Sequence, residues 1–254
     1  MFDKLLSFIS SIRADALYSS SRYSDQLNDL PDHLYTHWRD TAALEFKGIP
    51  RDAFFFVRAA EGLMEFFDCV SRSARPCGLP SKAADSVWHA WLRYAPAHLE
   101  SFCKRHFGRV IAHTEGADMA LPMDQALATT LVAARAIERL PLAGSHVPRL
   151  FSLDRRLAMP KGYAWSASGG VIALRSMDWQ GRVEGLPFAP PSLAPAALLT
   201  AGLISQADYA DWARRELLGD GGGGSGSGSS GCDGDGDGGG GDGGCGGGCG
   251  GGCG

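Results

Sequence analysis

The stretch VWHAWLRYAPAHLESFCKRHFGRVIAH, residues 87–113, combines apolar residues at helical spacing with four histidines, one cysteine and two tryptophans. Pro96 favours the first turn of a helix and lacks a backbone donor, so the region is predicted to form two helices, over residues 82–94 and 96–106. Gly108 is placed to end the second helix. The stretch therefore predicts a helical core whose histidines either pack within it or bind a metal.

The apolar spacing continues on both sides of this stretch. It predicts helices from about residue 32 to 46, over residues 51–72 and over residues 124–140. The helix over residues 51–72 is apolar on much of its circumference, which indicates a central position in a bundle. At the amino terminus one helical face is expected to pack on the body of the protein, with a partner groove or a membrane surface as alternatives: Phe2, Leu5, Leu6, Ile9 and Ile12.

Prolines, glycines and short apolar runs change the pattern after residue 143. The fold class is therefore predicted as mainly α, with a helical domain over residues 1–143 and an irregular segment with possible short strands over residues 144–190. A helical hairpin is predicted over residues 191–218, where Gly202 stops one helix and a Ser205–Asp208 capping box opens the next.

Residues 219–254 hold 23 of the 35 glycines, four of the seven cysteines and five of the 28 acidic residues. Because this tail has no apolar side chain except cysteine, it is predicted to be disordered. Three roles are open for this tail and its Cys232, Cys245, Cys249 and Cys253. The tail is passive, or its cysteines are modified or cross-linked after translation, or they bind zinc or iron.

The remaining 218 residues are almost balanced, with 24 basic and 23 acidic side chains, which makes nucleic acid an unlikely partner. The first residues of the sequence lack the apolar run that a signal peptide or a membrane anchor requires. A cytoplasmic location is therefore expected, with Cys69, Cys77 and Cys103 as reduced thiols. Any protein partner is unknown.

A transition metal would need three or four nitrogen or sulfur ligands at one point. The histidines lie nine, eight and seven residues apart, so a site requires both helices and the following segment to fold together. The candidate ligands are His89 and His113 with either Cys103 or His106, holding zinc or iron. The alternative is that His89 bonds to Asp85 one turn earlier and His113 fastens its segment to the bundle.

Other chemistry finds less support in the sequence. Nucleophilic catalysis by Cys103 would need a neighbouring base, yet adjacent helical residues point apart. Motifs such as GxSxG, HExxH or a phosphate-binding glycine loop are absent. An enzymatic function is therefore not expected.

Several of these residues form a motif of an acid, Trp-His, Phe-Cys, a glycine and a closing histidine. Its members are Asp85, Trp88, His89, Phe102, Cys103, Gly108 and His113. This motif, with the downstream residues 150–163 and a glycine-rich tail, resembles the glycine-rich domain-containing protein family of plants and its bacterial relatives. Trp91 stands where many members have a second histidine. The resemblance implies no catalytic activity, and the expected function is a non-catalytic interaction or scaffold role.

Overall fold

The computed structural model describes residues 2–114 and 121–217, without the side chains of residues 2–8. These residues form ten α-helices and one three-stranded antiparallel sheet, which confirms the mainly α fold class with a small β segment. In chain order the helices are α1 Phe2–Ser20, α2 Ser24–Asn28, α3 Leu34–Glu45, α4 Ala53–Arg72, α5 Lys82–Tyr94, α6 Pro96–Phe107, α7 Met123–Glu138, α8 Arg149–Arg156, α9 Pro195–Thr200 and α10 Gln206–Leu217. The strands are β1 Tyr163–Ser168, β2 Val171–Met177 and β3 Val183–Phe188.

Helix α4 lies at the centre of the bundle, as its apolar circumference predicts. Asp52 caps it by accepting a hydrogen bond from the Phe55 amide at 3.1 Å. The helix packs against α1, α5, α7 and α8, and Phe55, Phe56 and Phe67 are almost fully buried along it. A continuous core around α4 therefore supports the helices that carry the candidate site.

Helix α1 packs on α4 by a different face from the one expected. Ile9 and Ile12 are 44% and 51% exposed, whereas Ala14 and Leu17 are buried. The Ser10 hydroxyl donates to the Asp52 carboxylate at 2.6 Å on the same face. The expectation that Ile9 and Ile12 pack on the body was wrong: the face with Ser10, Ala14 and Leu17 is turned to the protein instead.

Helices α5 and α6 begin and end close to their predicted limits. Ser81 accepts a hydrogen bond from the Ala84 amide at 3.2 Å and caps α5. Gly108 adopts the left-handed conformation, with φ of 74°, and ends α6 as predicted. The chain then runs without regular secondary structure over residues 109–114, alongside the cavity described below.

A buried carboxylate ties α5 to two other elements. Asp154 of α8 is fully buried and accepts hydrogen bonds from the Ser81 hydroxyl at 2.6 Å and from the amides of Lys82, Ala83 and Tyr163, each at 3.0 Å. Burial raises the pKa of Asp154, and these hydrogen bonds oppose that effect. The first turn of α5 is thereby fixed to α8 and to the start of β1.

The sheet, whose first strand begins at the Asp154 carboxylate, packs on a second apolar cluster. The strands follow the order β1-β2-β3, and Gly169 and Gly170, both with positive φ, close the β1–β2 hairpin. Phe151 and Trp165 are buried where α8 meets β1. The sequence pattern did not predict α8, because a helix of eight residues between prolines gives only two turns of periodicity.

The carboxyl-terminal helices follow the predicted hairpin. Gly202 has a positive φ after α9, and the hydroxyl of Ser205 accepts from the Asp208 amide while the Asp208 carboxylate accepts from the Ser205 amide. This reciprocal pair is the predicted capping box. Among the described helices, none combines the length and the apolar character needed to cross a membrane.

Candidate metal centre

Helix α5 places two potential ligands on one face, and the segment after α6 adds a third. Asp85 and His89 lie four residues apart, so their side chains are neighbours on the helix surface. His113 comes from the segment of residues 109–114, whose Ile111 is buried in the core. The ring of Trp88 packs edge-on against the His113 imidazole, with ring centroids 4.6 Å apart, and holds it over α5.

The three side chains meet at short distances. The Nε2 atoms of His89 and His113 are 2.9 Å apart, and the Asp85 Oδ1 atom lies 3.4 Å from the His113 Nε2 and 3.5 Å from the His89 Nε2. Side chains of this cluster are 18–30% exposed. Among the described residues, these three form a group of possible metal ligands, with all donor atoms within 4.8 Å of one another.

A carboxylate behind His89 fixes the orientation of its ring. The His89 Nδ1 atom lies 2.6 Å from the Glu45 Oε1 atom, and Arg93 donates to the other oxygen of Glu45. Partial burial raises the pKa of Glu45, but the hydrogen bonds from Arg93 and His89 outweigh it and lower the pKa below its ordinary value of 4.5. An ionised carboxylate only accepts hydrogen bonds, so Nδ1 of His89 carries a proton and the Nε2 atom faces the cluster.

These separations match those of ligands around one small cation. Zinc–nitrogen bonds of 2.0 to 2.1 Å in a tetrahedral site place neighbouring ligand atoms about 3.3 Å apart. The three observed separations, 2.9, 3.4 and 3.5 Å, lie close to this edge length. A histidine whose second nitrogen donates to a carboxylate is also the usual arrangement around a bound metal. Two imidazoles and one carboxylate suit zinc or iron(II).

The cluster opens into a cavity of about 880 Å³. Asp85, His89 and His113 lie in its wall, together with residues of the loop before α5, the segment after α6 and Tyr163 of β1. This volume falls within the range of sites that bind small molecules. A metal held by three side chains here would keep a coordination position towards the cavity.

The other two predicted ligands of the folded region lie elsewhere. Cys103 is fully buried in the α5–α6 core, and burial raises the pKa of its thiol to about 11. It therefore stays a thiol at neutral pH, which favours a packing role over a ligand or nucleophile. The His106 Nε2 atom lies 2.8 Å from the Asp29 carboxylate, and Phe102 covers its ring at a centroid distance of 4.6 Å. Neither residue belongs to the group formed by Asp85, His89 and His113.

Sequence reasoning named Asp85 as the acid of the motif and as a hydrogen-bond partner of His89, but not as a metal ligand, and it did not find Glu45 or Arg93. The spacing of four between Asp85 and His89 was the available signal, since it matches a pair of ligands on one helical face. Glu45 closes α3 and carries no comparable signal. The tail cysteines Cys232, Cys245, Cys249 and Cys253 lie outside the described residues, and their predicted roles stay predictions.

Residues 56–180 match the model of a family described as UCP032817-like, and this range includes α5, α6, Asp85, His89 and His113. Glu45 lies outside it. The description names no activity or partner, and it does not name the glycine-rich domain-containing family, so that resemblance stays a prediction. No curated protein and no solved structure matches the chain.

Proposed function

We propose that this protein binds a divalent transition metal, zinc or iron(II), through Asp85, His89 and His113. The observation that carries the proposal is the set of three donor-atom separations between 2.9 and 3.5 Å. A proton shared between the Nε2 atoms of His89 and His113 would explain the short distance between those two atoms. It would not explain the position of Asp85, whose carboxylate lies beyond good hydrogen-bond distance from both. A metal in place of that proton would bond to all three side chains.

Three further features support an open rather than a closed site. Structural zinc sites use four protein ligands, whereas sites that bind substrate use three and leave one position for water or ligand. Here three side chains converge, and the cavity lies beside them. Glu45 supports His89 from behind in the manner of an outer carboxylate. We therefore favour a metal centre that binds a small ligand over a purely structural ion.

An interaction function that depends on the glycine- and cysteine-rich tail stays a separate prediction. It has no additional support from contacts, because residues 218–254 are outside the described part of the chain. The family description is equally silent on a partner. The two functions are compatible, because the proposed centre lies in the helical region.

Metal titration of the full chain tests the proposal. Protein stripped with a chelator is titrated with Co²⁺, and Zn²⁺ is then added in competition with a chromogenic chelator. We expect one ion per chain with the visible spectrum of nitrogen and oxygen ligands. His89→Ala and His113→Ala are each expected to weaken binding at least about 100-fold, because each removes a ligand. His106→Ala is the matched control and should bind as the wild type does.

The tail cysteines require a second control. A variant with Cys232→Ser, Cys245→Ser, Cys249→Ser and Cys253→Ser should retain the ion and its spectrum. Binding that disappears in this variant, survives His113→Ala and shows cobalt–thiolate absorption would assign the metal to the tail and refute the proposal.

A further inference from the structure

The charges that line the cavity are unevenly paired. Arg75, Lys82 and Arg109 lie in its wall, and within the described ranges none of their charged groups lies within 4.0 Å of a carboxylate oxygen. Their donors instead meet main-chain carbonyl oxygens: Arg75 at 2.6 Å from Ala201, Lys82 at 2.7 Å from Lys161 and Arg109 at 3.4 Å from Ser73. The cavity therefore has positive charge that its own wall does not neutralise.

The acidic groups of the same wall are already engaged. Glu45 forms an ion pair with Arg93 and accepts a hydrogen bond from His89, and Asp85 faces the two histidines. A divalent metal at the proposed centre would bring two positive charges against the single negative charge of Asp85. With Arg75, Lys82 and Arg109 in addition, the loaded cavity would be strongly cationic, and a negatively charged ligand would be attracted to it.

Lys82 is the cation best placed to act together with the metal. It precedes Asp85 by three residues on α5, so the two side chains share a face, about 4.5 Å apart along the helix axis. Its ammonium group is held 4.9 Å from the centre of the Tyr163 ring and bonds to the Lys161 carbonyl. The side chain is half-buried, so its charge is less screened by water than that of an exposed lysine.

Tyr163 adds a neutral donor to the same wall. Burial raises the pKa of its hydroxyl, and the charges of Asp154 and Asp85 raise it further. The hydroxyl therefore stays protonated at neutral pH, and it makes no hydrogen bond to any other part of the described chain. A protonated phenol beside an ammonium group suits the oxygen atoms of an anion.

We infer that the open position of the metal centre receives a small oxyanion, a carboxylate or phosphate compound, that binds the metal through one oxygen and Lys82 through its negative charge. This inference rests on the proposed metal function. Arg109, four residues before His113, and Arg75 would add positive charge at the exposed side of the cavity. A neutral or cationic ligand would leave the excess charge of the loaded cavity uncompensated.

Anion binding to the cobalt-loaded full chain tests this inference. Oxalate and inorganic phosphate are titrated separately, and both the change in the cobalt spectrum and the heat of binding are measured. We expect at least one of them to bind and shift the spectrum. The probe with the lower dissociation constant identifies whether the carboxylate or the phosphate class is preferred.

Charge variants locate the anion. Lys82→Gln is expected to weaken anion binding at least about tenfold, because it removes a charge-assisted hydrogen bond, while Co²⁺ affinity stays unchanged. Lys82→Arg should retain most of the affinity. Arg109→Gln, at an exposed site where folding is not at risk, should weaken binding by a smaller factor. The control is Lys104→Gln, an exposed lysine of α6 that pairs with Glu100 and should have no effect.

The outcomes separate this inference from the proposed function. Stoichiometric cobalt binding without any effect of either anion would overturn the inference and leave the metal function standing. Anion affinity that is equal in the wild type, Lys82→Gln and Arg109→Gln would also overturn it. Failure to load cobalt at all would overturn both.

Discussion

Helices α5 and α6 each carry a histidine bonded to a carboxylate from an earlier part of the chain, yet only one of the two belongs to the candidate metal centre. His89 lies 2.6 Å from Glu45, and His106 lies 2.8 Å from Asp29. The second ring nitrogen of His89 faces His113 and Asp85. His106 instead has the Phe102 ring packed against it. A histidine–carboxylate pair is therefore not a site until a third segment brings further ligands to it.

The two helices also differ in how they are held. Asp154 fixes the first turn of α5 to α8 and β1 through four hydrogen bonds. Helix α6 begins at Pro96 without a side-chain cap. Precise distances between Asp85, His89 and His113 require a rigid helix, and α5 has the stronger anchor. Four variants test this comparison, from the largest expected effect to the smallest.

Removal of the Asp154 anchor should have the largest effect. Asp154→Ala leaves the Ser81 hydroxyl and three buried amides without an acceptor and is expected to lower the free energy of unfolding by about 3 to 5 kcal/mol. Asp154→Asn keeps one acceptor oxygen and should lose less. Urea denaturation followed by circular dichroism gives both values. Glu100→Gln on the exposed face of α6 is the control, within about 0.5 kcal/mol of wild type; an equally small loss in Asp154→Ala would disprove the anchoring role.

Removal of the carboxylate behind each histidine should distinguish the two pairs. Glu45→Gln is expected to weaken Co²⁺ or Zn²⁺ affinity about 10- to 100-fold, because the His89 ring exchanges a charged acceptor for a weaker neutral one. Asp29→Asn removes the corresponding partner of His106 and should leave the affinity unchanged. Both dissociation constants come from chelator competition. Equal affinities in the two variants would show that the pairs are equivalent and that Glu45 does not support a metal ligand.

The turn that ends α6 should contribute less. Gly108 has φ of 74° and free space around a new Cβ atom, so Gly108→Ala introduces only conformational strain, about 1 kcal/mol. Because the turn directs residues 109–114 towards α5, we expect metal affinity to fall by up to about fivefold. Gly185 of β3 has a similar φ of 75° and equally open surroundings. Gly185→Ala should cost the same stability without changing the affinity, and any equal loss of affinity would argue against a specific role for Gly108.

The Asp29 pair should give the smallest effect, and this effect should be present at neutral pH and fade in acid. Partial burial raises the pKa of Asp29, but the hydrogen bond from His106 and the charge of Arg105 outweigh it and lower the pKa below 3.8. A carboxyl whose pKa is lower in the folded state stabilises the protein above about pH 4 and loses that contribution as the pH falls further. Asp29→Asn should therefore reduce stability by less than about 1 kcal/mol at pH 7, since the pair is partly exposed, and this deficit should be smaller at pH 3. Denaturation at both values measures it; a constant deficit would contradict the linkage.

The helices of the bundle were largely predictable from the sequence. Their apolar spacing, the proline at position 96 and the glycine at position 108 act over one or two turns, so α4, α5 and α6 follow from local rules. Helix α8 was missed because it is short, and the packing face of α1 was misassigned because contacts with α4 bury Ala14 and Leu17 and leave the isoleucines exposed. Local patterns indicate that an element exists more reliably than which of its faces is buried.

The candidate site was predictable only in part, and the reason is physical. The sequence by itself indicated His89 and His113, because both stand in the same motif, and it offered Cys103 and His106 as equal partners. Tertiary structure buried Cys103, paired His106 with Asp29 and brought Glu45 and His113 to His89. Donor atoms from α3, α5 and the segment after α6 meet only when these elements pack, and no spacing along the chain records distances between segments that are separated by turns of unknown direction.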